Sequence, residues 1–135
     1  MGSIKDFLID ASNEETQEVK LKRFPSPFVI KSITEEENDA LKRQYTVKVR
    51  AKNGAKVPDM DTNKYMTALI LSCIVEPDLK NADLQAFYNT TGSAGDTLKK
   101  MLKPGEYTTL FQAIQDINGF DSDEMDDLVD EAKKD

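Results

Sequence analysis

DTNKYMTALILSCIVEP, residues 61–77, decides how the rest of the chain is read. Asp61 is a natural helix cap, and after it Tyr65, Met66, Ala68, Leu69, Ile70, Leu71, Cys73, Ile74 and Val75 leave almost no polar face. A helix that is apolar all round must be surrounded, so this one is expected at the buried centre. Pro77 stops it.

On its C-terminal side the pattern stays helical. Asn81 caps a short helix that presents Leu84, Phe87 and Tyr88 and ends at Gly92, and Ser93 with Asp96 opens another with Leu98, Met101 and Leu102. MLKPGEYTTLFQAI, residues 101–114, then breaks one helix and restarts the next at once. Pro104 suits a first helical turn, where its missing N–H is not needed, and Tyr107, Leu110, Phe111, Ile114 and Ile117 follow at helical spacing until Gly119. Asp121 with Glu124 caps a final acidic helix whose apolar stripe is Met125, Leu128, Val129 and Ala132. Helices this short are marginal alone, so they are expected to pack on one another around the central one.

The N-terminal side reads differently. EVKLKRF (residues 18–24) and FVIKSI (28–33) look like strands joined at Pro25-Ser26-Pro27, because two prolines so close cannot both sit in a ladder. Thr34 and Glu37 form a capping box ahead of a helix with a thin stripe of Ala40, Leu41 and Tyr45. Tyr45, Val47, Val49 and Ala51 then alternate with Thr46, Lys48, Arg50 and Lys52, the period of a half-buried strand, before a turn at Asn53-Gly54. The class is therefore α+β and mainly α: a small antiparallel β element in the N-terminal part, then a compact bundle of short helices. An arm, residues 1–17, precedes a single domain over 18–135, with strands at about 18–52 and helices at about 61–134.

Composition narrows the function. A chain of 135 residues can bury one modest core without metals or disulfides, and its single Cys73 lies in an apolar run, where a small buried hydrophobe is expected. From Phe120 onward there are eight acids against two lysines, or −6; the preceding 119 residues, 17 acidic and 16 basic, come to −1 of the total −7. That balance argues against general nucleic-acid binding, which needs a basic face. The start fits neither a signal nor a transit peptide, Asp6 spoils a myristoylation motif at Gly2, and no apolar run approaches about 18 residues, so a cytosolic protein off the membrane is expected.

Chemistry is sparse. The chain contains no histidine, which excludes histidine-based triads and the commonest zinc ligand. GSAGDTLKK is no phosphate loop, and the acidic end fails the calcium-loop pattern, with Asp126 at the sixth place and Ala132 at the twelfth. The 25 acids leave a carboxylate pair open, but no catalytic, metal or cofactor residues are assigned and a non-enzyme is expected.

DTNKYMTALILSCIVEPDLKNADLQAFY and MLKPGEYTTLFQAIQDINGF, with FLIDASNEE, EVKLKRF and the closing EAKK, resemble the XkdN-like tail assembly chaperones of long-tailed phages and defective prophages. The chain departs from that pattern around residues 25–27 and at TTGSAGD, both connections. The resemblance implies a chaperone that binds the tape measure protein, keeps it soluble, and is displaced as tail tube subunits polymerise. It further implies a homo-oligomer in the bacterial host cytoplasm, absent from the mature virion. A frameshifted longer form, with Lys133-Lys134 as the place for a slippery stretch, would contact the tail tube protein.

Exposed apolar side chains would carry such binding, and Phe24, Phe28, Met125, Leu128 and Val129 are the candidates. The alternative is a small acidic regulatory protein that inhibits a host enzyme or nucleic-acid-binding protein by charge mimicry through Asp123, Asp126, Asp127 and Asp130.

Overall fold

The computed structural model describes residues 2–9, 15–120 and 130. After a 3-10 turn at Ile4–Phe7 the order is β1 (Thr16–Val19), β2 (Phe28–Lys31), α1 (Glu35–Gln44), β3 (Thr46–Arg50), β4 (Lys56–Met60), α2 (Thr62–Cys73), β5 (Ile74–Glu76), α3 (Ala82–Phe87), α4 (Ala94–Met101) and α5 (Pro104–Asn118). The chain is α+β, its helices outweighing two small antiparallel sheets.

Helix starts follow the capping residues. Thr34 accepts the Glu37 N–H at 3.2 Å, Asp61 that of Lys64 at 3.1 Å, Asn81 that of Leu84 at 3.0 Å and Ser93 that of Asp96 at 3.2 Å. Each satisfies one of the orphan donors of a first turn, worth about 1 kcal/mol. Pro104 opens α5 and Gly119 closes it at φ 70, the left-handed conformation that costs a residue with a Cβ.

One sheet runs β1-β2-β5, with Val19 opposite Phe28 and Ile30 opposite Ile74. Helix α5 packs across β1 and β2 and against α2, while α4 and α1 close other sides of α2. Tyr65, Leu69, Ile70 and Cys73 of α2 are buried with Phe28, Ile30, Leu98, Leu110 and Ile114. Complete burial of such side chains contributes about 1.5–3 kcal/mol each. Buried polar groups on α3 and α4 and in their connection are paired: the Gln85 amide donates to the Leu79 carbonyl at 2.9 Å and accepts the Gly92 N–H at 3.0 Å, and Thr90 and Thr97 share a hydrogen bond of 2.6 Å. The Thr62 hydroxyl in the first turn of α2 is buried without a hydrogen-bond partner.

Five local expectations are corrected. The strand expected at 18–24 is β1, Thr16–Val19, because the Leu21 carbonyl accepts the Phe24 N–H at 2.9 Å and turns the chain early. The strand region does not stop at 52. Asn53-Gly54 joins β3 to β4, and the central helix ends at Cys73, where Ile74 turns extended and β5 pairs with β2. Pro58 within β4 hid that strand. A proline is tolerated there because each of the two strands of this ribbon has a free edge.

Helix α3 stops at Phe87, with Asn89 and not Gly92 taking the first left-handed position. Lastly, β3 is not half-buried. Its hairpin stands apart from the main sheet, and Val47 is 61% exposed.

Candidate functional site

The connection between β1 and β2 builds one wall of an apolar groove. Pro25 and Pro27 have fixed φ and no N–H to pair, so the chain bends away from the sheet there and carries Phe24 back over Phe28. Their rings meet edge to face, centroids 5.4 Å apart at 69°. Phe28 is 2% exposed and forms the root of the wall; Phe24 is half-buried at the lip.

The opposite wall is the β5–α3 connection, with Val75, 45% exposed, and Pro77 after a cis Glu76-Pro77 bond. Leu84, Tyr88 and Met101 complete a groove of about 710 Å³ whose charged lining residues are Glu76 and Asp78. Beside it the Phe87 ring is 81% exposed, held edge-on to Tyr88 at 4.9 Å. Two short connections and two helices thus converge on one apolar opening.

A charge clamp holds this end of the molecule. The Arg23 guanidinium donates to both carboxylate oxygens of Glu106, at 2.6 and 2.8 Å, and to the Met101 carbonyl at 2.7 Å. Planar guanidinium meets planar carboxylate, the geometry that makes such pairs specific. Arg23 lies in the connection between β1 and β2, Glu106 in the first turn of α5, so the pair spans 83 residues and ties the groove wall to the helical bundle. Hydrogen bonding from Arg23, then from the Lys103 N–H, holds the Glu106 carboxyl down at about 2, and the same pairing raises Arg23 above its ordinary value.

Cys73 takes no part in the groove. It is fully buried in α2, burial pushes its thiol up to about 11, and the Asn118 amide approaches its sulfur at 3.5 Å. Among the described residues no three His, Cys, Asp or Glu side chains converge in an arrangement able to hold a metal ion.

Of the five candidate binding residues, Phe24 and Phe28 come together at the groove; Met125, Leu128 and Val129 lie outside the described residues. Val75, Pro77, Tyr88 and Phe87 were missed as surface residues. The helical pattern placed Val75 and Phe87 in the core, and the one signal that pointed elsewhere was the prolines at 25, 27 and 77, which mark the connections that form the walls.

Comparison with known proteins adds the family. The model of the phage XkdN-like tail assembly chaperone proteins matches residues 4–133. Protein XkdN of the phage-like element PBSX of Bacillus subtilis (strain 168) is 29% identical over 136 aligned positions, covering 94% of this chain and 91% of the relative. YqbN of the same strain is 28% identical with the same coverage. The crystal structure of the protein YqbN superposes with a TM-score of 0.63 at 26% identity, over 80% of this chain and 87% of that one. Among the described residues no helix is long and apolar enough to cross a membrane.

Proposed function

The chain belongs to the XkdN-like family of phage tail assembly chaperones, and from that premise we propose that it binds the tape measure protein, keeps it soluble, and is displaced as tail tube subunits polymerise. The observation that carries this reading is the open apolar groove under Phe24 with Phe87 standing exposed beside it. An amphipathic helix docks by laying anchors spaced three and four residues apart into such a groove, and aromatic side chains at its edge commonly supply much of the affinity. A tape measure protein, as a long helical chain with apolar seams, offers repeated anchors of that kind. In the same reading the protein acts in the host cytoplasm as a homo-oligomer, is absent from the finished particle, and reaches the tail tube protein through a longer frameshifted form.

Co-expression with the tape measure protein of the same phage tests it. The wild type is expected to copurify with a soluble tape measure protein. Phe87→Ala and Phe24→Ala should leave the chaperone folded but release the tape measure protein to the pellet. Precipitation with every variant, wild type included, would remove tape measure binding. Salt decides against the charge-mimicry alternative: groove binding survives high salt, whereas mimicry through Asp123, Asp126, Asp127 and Asp130 would weaken steeply.

A further inference from the structure

The β3–β4 hairpin is a second unpartnered surface. Its register sets Val49 opposite Val57 and Val47 opposite Asp59, so the three valines share one face with the Asp59 carboxylate at its root end, and each valine is exposed. The hairpin is closed by the Gly54 N–H on the Ala51 carbonyl at 3.0 Å, with Gly54 at φ 82, and belongs to neither face of the main sheet. Lys48, Arg50, Lys52 and Lys56 against Asp59 give residues 46–60 a charge of +3.

The acidic end of the same protein has the complementary properties. From Phe120 to the terminus the charge is −6, and Met125, Leu128, Val129 and Ala132 fall on one stripe at helical spacing. Asp130, within that segment, is helical and exposed. Two hairpins meeting valine to valine would set +3 against +3, whereas this segment brings an apolar stripe and the opposite charge. Lys48, Arg50 and Lys56 alternate onto the far face, but the ribbon is one strand thick, and their field acts within the Debye length of about 10 Å at 0.1 M salt.

Length weighs toward a second copy as the source of the segment. Asn118 at the end of α5 accepts the Ile33 N–H at 2.8 Å, just before α1 begins. Helix α1 then carries the chain about 15 Å to the root of the hairpin, and the valine face begins there and runs on for roughly another 10 Å. A helix from the same chain's residue 121 puts its stripe no farther than about 18 Å from its start, short of most of that face. An extended segment would reach, but would lose the stripe.

We infer that the valine face of the β3–β4 hairpin is a docking site for the acidic C-terminal segment, residues 121–132, of a second copy of this protein. Exchanged reciprocally about a twofold axis, the contact occurs twice in a dimer and covers both bare hairpins. The inference stands apart from tape measure binding, because it needs no other protein.

Disulfide trapping in the full-length chain tests it, since the buried Cys73 is shielded from exchange. Val49→Cys protein is mixed with Leu128→Cys protein, oxidised gently, and run on a non-reducing gel. A covalent dimer is expected at several-fold the yield of either variant alone, and of Leu128→Cys mixed with Thr108→Cys, which places a thiol on exposed α5. Its yield should fall as salt rises. Equal yields from the Thr108 control would overturn the inference. So would a fast-migrating monomer with an internal disulfide from the Val49→Cys/Leu128→Cys double variant, which would assign the segment to its own hairpin.

Discussion

Tyr65→Phe removes one oxygen from the centre of the molecule. The Tyr65 ring is fully buried, and its hydroxyl donates to the Asn38 Oδ1 at 2.5 Å, joining α2 to α1. Asn38 is itself buried, and its Nδ2 has a long contact of 3.4 Å to the Glu35 carboxylate. Phenylalanine fills the same space, so no cavity term enters. The loss comes from the amide oxygen of Asn38, stranded beside the buried ring, and an unsatisfied buried acceptor costs about 1–3 kcal/mol. Urea unfolding should therefore show a free energy lower by that amount, seen as a lower midpoint with an unchanged slope. The double variant Tyr65→Phe/Asn38→Leu separates the causes. With both partners apolar no acceptor is stranded, so it should lose less than the two single variants together, with a coupling of about 1 kcal/mol. Tyr65→Phe within about 0.5 kcal/mol of wild type, or strict additivity, would refute the hydrogen-bond argument.

Three further outcomes follow from particular contacts. Glu106 is held at about 2, below its ordinary 4.5, so its pairing with Arg23 stabilises the fold above about pH 4.5 and is lost as pH falls toward 2. Urea titrations of wild type and Glu106→Gln should differ at pH 7 and converge near pH 2; a constant gap would count against the clamp. Gly119→Ala should cost about 1 kcal/mol at its left-handed position, whereas Gly105→Ala, in the first turn of α5 with open space around it, should gain about 0.5 kcal/mol; equal effects in thermal melts would contradict this. Cys73, its thiol raised to about 11 by burial, should react with a disulfide reagent at pH 8 at least roughly a hundredfold more slowly than after unfolding in urea. Comparable rates would place the thiol at the surface.

What the sequence determined by itself was local and periodic. Thr34, Asp61, Asn81 and Ser93 announced helix starts because a capping side chain bonds an amide three residues away, a distance the sequence fixes. Pro104 and Gly119 bounded α5 through their own allowed φ. The apolar girth of residues 65–73 required a buried helix, and the prolines at 25, 27 and 77 required chain breaks.

Tertiary structure decided the rest, because it turned on which distant segments meet. Ile74 and Val75 continue the apolar pattern of α2, yet β2 offers Val29 and Ile30 a pairing edge, and extended backbone won. Val47 alternates like a core strand, but β3 pairs with β4 in a separate two-stranded sheet, so the hairpin is left outside with both faces wet. Asn38 looks like a surface residue on α1 until the Tyr65 hydroxyl arrives from 27 positions away. The groove has the same origin: prolines mark its walls in the sequence, but only the Arg23 to Glu106 clamp and the packing of Phe24 on Phe28 make two chain breaks into one surface.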